Sequence, residues 1–366
     1  MKKMKLPVLY VLIIMILLSA CQGTVPDNTA NTRTIVDVWG RQVEIPMEVE
    51  SIITLGPGAT RIGVYLGVHR QIIGTETQTQ SLNPLMDFSP IVHEYFANLP
   101  IVGRGGGGGE NNAYPEEIIR LAPDVILAAF TPQAADELQA QTGIPVVAVR
   151  YTSTGLANES FFAASRVFAQ VMGQEERGEA LLEQITLFRT DLERRTADID
   201  PSGRLRVYAG AITFAGQRGF GGTYSQFGPL VAIGAYNVAD TALEEGFYEV
   251  DFEQIMLWDP EIIFLDPGNI HLVQAEYEAR PQFFHALSAV REGRVYTMPA
   301  FNFSATNVTY ALINAYFAGT ILFPEEFADI DIREKAGEIL SFFLGEDTFS
   351  YMEAAGLVYG QIRIGE

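Results

Sequence analysis

One short cassette that occurs twice constrains this chain more than any other feature. The stretch 116–127 (EEIIRLAPDVIL) returns at 253–264 as EQIMLWDPEIIF. In both copies a glutamate stands seven positions before a proline, an isoleucine follows two after the glutamate, and an acid and an apolar run follow the proline. Proline stops a helix because it lacks the amide proton and clashes with the preceding turn. The β-branched run that follows it reads as a buried strand. Each copy is therefore a helix–strand junction, with Glu116 and Glu253 in the first turn of their helices. There they are exposed and favoured by the positive end of the helix dipole. A chain that repeats this junction far apart consists of two comparable α/β units.

The surrounding pattern supports that division. Apolar runs at 51–55, 71–74, 100–102, 125–129 and 145–149 alternate with helical stretches at 60–66, 115–121 and 132–142. Strands alternating with helices give a largely parallel sheet. Before them, 34–38 and 42–45 alternate around Trp39-Gly40, the pattern of a hairpin. A long helical tract follows at 158–198, broken at Gly173, in which Leu181, Ile185, Phe188 and Leu192 share one face. The second unit has strands at 205–210, 261–265 and 294–298, and helices at 226–233, 252–257, 306–322 and 332–344. The predicted fold is two Rossmann-like lobes with mostly parallel sheets, joined by a long rigid spine helix at 175–198.

The N-terminus sets the compartment. Three lysines precede the apolar run 6–18, and Ser19 and Ala20 follow it. A basic start, a short apolar stretch and small residues describe a secretory signal. Leu18-Ser19-Ala20-Cys21 resembles the lipobox of bacterial lipoproteins, which implies cleavage before Cys21 and lipidation of its thiol. The expected divisions are a signal peptide at 1–20, a flexible tether at 21–33, an N-terminal lobe at 34–157, a helical linker at 158–200 and a C-terminal lobe at 201–366. Cys21 is the only cysteine, so disulfides contribute nothing to stability. The formal net charge of −21 argues against nucleic acid as a partner, because phosphates would be repelled.

In order and spacing, the chain resembles the class III substrate-binding lipoproteins of bacterial ABC importers, which bind ferric siderophores, haem and cobalamin (a periplasmic binding protein type 2-like family). The resemblance runs from the opening 37–46 (DVWGRQVEIP) through 51–55 (SIITL), 66–68 with 73–75, 99–103 (LPIVG) and 121–126 (LAPDVI). It implies a monomer, lipid-anchored outside the cytoplasmic membrane, that holds its ligand in the cleft between the lobes. It also implies an ABC permease and its ATPase as partners, with Glu116 and Glu253 docking on permease arginines and Glu117 beside them. A stiff spine implies only modest closure.

Two segments are candidate cleft walls. The first is Arg104 with the glycines that follow it, Gly105 and Gly106 foremost, whose bare amides can approach an anion. Its G-x-G-x-x-G match carries no weight, because consecutive glycines satisfy almost any glycine pattern. The second is 214–227, where Phe214, Arg218, Phe220 and Tyr224 interleave aromatic area and one guanidinium with glycine. Asn302, Phe303 and Asn307 are expected on the same rim. These residues suit a partly anionic metal chelate, most simply a ferric siderophore, as ligand rather than cofactor. A molybdate-type oxyanion cradled by the Arg104 loop is the alternative. His69, His93, His271 and His285 show no paired ligand spacing, so no protein-bound metal is expected. No catalytic motif is present, which fits a carrier rather than an enzyme. An extracytoplasmic enzyme or a signalling module on the same scaffold is the rival from another class.

Overall fold

The computed structural model describes residues 31–106, 111–151 and 155–366. The expected signal peptide, the lipobox-like stretch with Cys21 and nearly all of the expected tether lie outside the described residues.

The N-terminal lobe opens with an antiparallel hairpin of β1 (Thr32–Val36) and β2 (Gln42–Pro46). The hairpin begins two residues inside the stretch assigned to the tether, because Arg33 is anchored: its guanidinium donates to the carbonyls of Gln170 and Val171. Next come β3 (Ile52–Leu55), β4 (Ile72–Glu76), β5 (Ile101–Gly103), β6 (Val125–Ala128) and β7 (Val146–Ala148). They form one parallel sheet in the order β5-β4-β3-β6-β7. Strands β3 and β6 are buried along their whole length, as expected of a sheet covered on both faces.

The C-terminal lobe contains β8 (Arg206–Gly210), β9 (Gly222–Ser225), β10 (Tyr236–Asn237), β11 (Gly246–Glu249), β12 (Ile262–Leu265), β13 (Val295–Thr297) and β14 (Gly360–Ile362). Its sheet has the order β10-β8-β12-β13-β14, parallel except for β14. Strands β9 and β11 pair separately as an antiparallel ribbon. The sequence pattern did not show this ribbon, and it relocates several side chains expected in the cleft.

The repeated cassette is a structural repeat. The helices Pro115–Leu121 and Phe252–Trp258 each bury their isoleucine, Ile118 and Ile255, completely. Each ends in a left-handed residue, Ala122 (φ 49°) or Asp259 (φ 38°), before the strand β6 or β12. Glu116 and Glu253 are both exposed, and among the described residues neither has an ion-pair or hydrogen-bond partner.

The helix Glu159–Met172 ends at Gly173 (φ 63°), and the spine helix Glu175–Thr196 follows. At 22 residues it is about 33 Å long. Leu181, Ile185, Phe188 and Leu192 all face inward. Arg177 on the spine donates to the carbonyls of both Tyr65 and Phe342, so one side chain ties together segments from opposite ends of the chain. A central apolar cluster runs without a break through β3, the spine helix, β8 and the helix Val308–Leu322. Separate clusters fill only the outer flank of each lobe. The lobes thus share a core rather than each having its own. No helix among the described residues is long and apolar enough to cross a membrane.

Candidate ligand-binding cleft

Parallel sheets create a binding crevice beyond the carboxyl ends of their strands, where successive connections leave in opposite directions. In the N-terminal sheet that switch falls between β3 and β6, and in the C-terminal sheet between β8 and β12. The two switch points face each other across a cavity of about 590 Å³. Pro57 and Ala129 line it from beyond β3 and β6, and Gln78 and Arg150-Tyr151 from beyond β4 and β7. From the other lobe come residues 213–217 beyond β8, Asp266 beyond β12 and residues 302–305 beyond β13.

Arg150 is half-buried in this lining, and among the described residues nothing pairs with it. Tyr151 stands beside it with only 5% of its surface exposed, and its hydroxyl accepts from Arg61 at 3.0 Å. Its ring packs so closely on Gly58 that a Cβ there would collide with it, and Gly58 has the left-handed φ of 84° that glycine tolerates. Asp266 accepts from the Thr213 hydroxyl at 2.5 Å and the Gly268 amide at 3.0 Å. Burial pushes its carboxyl up, against the pull of those donors.

Behind the cleft lies a charge network with no solvent contact. The Arg61 side chain is completely buried and donates to Asp87 (2.8 Å), to the carbonyl of Ser304 (2.8 Å) and to that of Phe303 (3.2 Å), as well as to Asn307. Burial works against its charge, but Tyr151, Asp87 and Tyr65 around it raise its pKa overall. Arg61 belongs to the first lobe and residues 303–307 to the second, so the network fixes one cleft wall to the other. It holds a loop in which Ser304 (φ 52°) and Ala305 (φ 64°) are both left-handed without being glycine. Such backbone is uphill and persists only where its surroundings enforce it. Another buried acid, Glu76 at the end of β4, accepts a hydrogen bond from the Gly56 amide, and burial raises its pKa to about 7.

Of the residues expected here from sequence, Gly106, Phe214, Asn302 and Phe303 come together in the lining. Gly105 packs on Gln78 just outside, and Arg104 is exposed off the lining. The rest of that glycine run, 107–110, lies outside the described residues. Four further positions differ from the expectation. Phe220 is completely buried in the outer core of the C-terminal lobe, ringed by Phe252, Phe283 and Phe284. Tyr224 lies on β9, opposite Phe247 of β11. Arg218 donates to the Phe214 carbonyl and lies over the Phe247 ring at 5.1 Å. The last two pack around the ribbon just outside the lining, Tyr224 beside Phe214 and Arg218 over Phe247. Asn307, expected on the rim, is buried and bonds across the lobes to Leu85 and Asp87. Arg150, Tyr151 and Asp266 escaped the sequence analysis. Among the described residues no three His, Cys, Asp or Glu side chains converge on a point that could hold a metal.

The family model described as "Periplasmic binding protein" matches residues 52–300. The chain is 24% identical over 341 residues to the molybdate-binding protein MolA of Haemophilus influenzae, covering 85% of this chain and 90% of that one. The structure of MolA bound to molybdate superposes with a TM-score of 0.66 at 21% identity, covering 86% and 98% of the two chains. A periplasmic solute-binding protein of Veillonella parvula gives a TM-score of 0.69 at 20% identity, with 87% and 94% covered. Helicobacter pylori CeuE with nickel bound gives 0.60 at 15%, with 88% and 99% covered. The chain therefore belongs to the periplasmic binding protein family, whose members serve ABC transporters outside the cytoplasmic membrane.

Proposed function

We propose that this protein captures a metal chelate of the ferric-siderophore kind in the interlobe cleft and hands it, chemically unchanged, to an ABC permease. The observation that carries the reading is the cleft itself. Its volume of about 590 Å³ falls in the range of pockets that enclose whole organic ligands. Tyr151, Phe214 and Phe303 supply apolar area, and Arg150 supplies an unpaired guanidinium. The exposed Glu116 and Glu253 would meet permease arginines, and lipid on Cys21 would keep the protein at the membrane. A second reading is a molybdate carrier, favoured by the similarity to MolA.

Thermal unfolding of the full chain in detergent, with ferric chelates, haem, cobalamin and molybdate in turn, tests both. A ligand at a hundred times its dissociation constant adds about 2.7 kcal/mol of stability. A rise with a ferric chelate that is recovered unaltered supports the first reading. A rise with molybdate alone transfers the assignment to the second, and no rise with any of them refutes both.

A further inference from the structure

We infer that the ligand is a chelate of no net charge, a ferric ion held by three singly charged bidentate oxygen donors of the hydroxamate type. This assignment rests on the chelate reading above and narrows it.

The argument is a count of charges that face the cavity. Among the described residues two lining side chains are formally charged, Arg150 and Asp266, and they cancel. Asp266 is spoken for by Thr213 and Gly268. If it took up a proton, the lining would carry a single positive charge. No second cation lines the cavity among the described residues. Arg218 is stacked on Phe247, Arg104 is exposed off the lining, and Arg61 is sealed behind the wall with its donors occupied. A ferric tris-catecholate carries three negative charges. In this cleft it would leave most of them desolvated without a partner, which costs far more than neutral contacts return. The chain's net charge of −21 opposes its approach as well.

A bare tetrahedral oxyanion fails on a different count. It would occupy a small part of about 590 Å³ and leave the rings of Phe214 and Phe303 facing water. A neutral tris-hydroxamate meets both conditions. Its ferric charge is cancelled internally, and its carbonyl and N–O oxygens accept hydrogen bonds. The Arg150 fork matches two such oxygens on one arm. The Gln78 and Asn302 amides lie within the same lining for the others.

The test is titration calorimetry of the full chain in detergent with ferrichrome (neutral), ferric enterobactin (three negative charges), molybdate and cyanocobalamin. Ferrichrome is expected to bind at least a hundredfold tighter than ferric enterobactin, with little dependence on salt. Arg150→Met is expected to weaken ferrichrome about ten- to a hundredfold, the worth of one charge-assisted hydrogen bond. Because Arg150 has no partner among the described residues, the variant keeps the parent's denaturation midpoint. Enterobactin bound as tightly as ferrichrome, or an unchanged affinity in Arg150→Met, overturns the charge assignment but leaves the chelate reading standing. Binding of molybdate or cyanocobalamin alone overturns both, as does silence from all four ligands.

Discussion

Removing Arg61 tests most directly how the two lobes are held. Its side chain has no exposed surface, and neither has that of Asp87. Truncation to methionine leaves the Asp87 carboxylate buried without its cation. It also leaves the Phe303 and Ser304 carbonyls without donors. Stranding one member of a buried pair costs about 3–5 kcal/mol, a large share of the roughly 5–15 kcal/mol that holds an ordinary domain together. Asp87→Leu strands the guanidinium instead and should cost a similar amount. The double variant strands no charge. Its residual cost is the two orphaned carbonyls and the donors of Tyr65, Thr309 and the Phe88 amide that now bond Asp87, about 1–3 kcal/mol for each group left dry. The expected outcome is that the double variant costs less than the two single penalties added together, a coupling of about 3 kcal/mol or more. Urea titration of all four proteins gives the cycle, with m-values checked for constancy. Costs that simply add, or an Arg61→Met penalty below about 1 kcal/mol, would show that the network is incidental to stability.

The other predictions concern acids. Glu76 titrates near 7 in the folded protein and near 4.5 when exposed, so the folded state holds its proton more tightly. Its contribution is complete below the lower value and is lost as pH rises through the upper one, by about 3 kcal/mol in all. Glu76→Gln should therefore match the parent at pH 4 and exceed its stability at pH 8, and urea midpoints that differ equally at both would refute the assignment. Replacing Glu116 and Glu253 together with alanine should abolish uptake by cells carrying the permease while calorimetric ligand affinity stays at the parent value, since rim charges govern docking rather than the distant cleft. Normal uptake would exclude them from docking.

The elements were legible where local chemistry decides them. The helices Pro115–Leu121, Pro132–Thr142 and Ile332–Leu344 have the bounds that proline, glycine and apolar spacing predict. The cleft was less legible, because its residues share a position at strand ends rather than a local pattern. Arg150 follows a readable strand, but nothing near it in sequence distinguishes it from a surface arginine. Arg61 reads as surface too, and only the fold shows that it is sealed. The glycine–aromatic segment misled because its second half is a strand whose partner, Gly246–Glu249, has no regular alternation. Arg218 and Tyr224 pack around that ribbon outside the lining, and Phe214 alone of the two flanking rings and their arginine is in it.

The same arrangement bears on how occupancy reaches a permease. A swing of the lobes about a hinge would shear an apolar cluster that is continuous from β3 to the helix Val308–Leu322. It would also pull Arg61 from the Ser304 carbonyl and Arg177 from that of Tyr65 or Phe342. Packed cores resist continuous deformation and shift, if at all, between discrete states. The strained parts of the cleft are its loops, 213–217 and 302–305, which contain Ala215 (φ 49°), Ser304 and Ala305 in uphill backbone conformations. A ligand bridging these loops to Arg150 can stabilise them without separating the lobes. Such a ligand changes the spacing of Glu116 and Glu253 very little. A permease would then have to sense occupancy through those loops, not through the separation of the lobes.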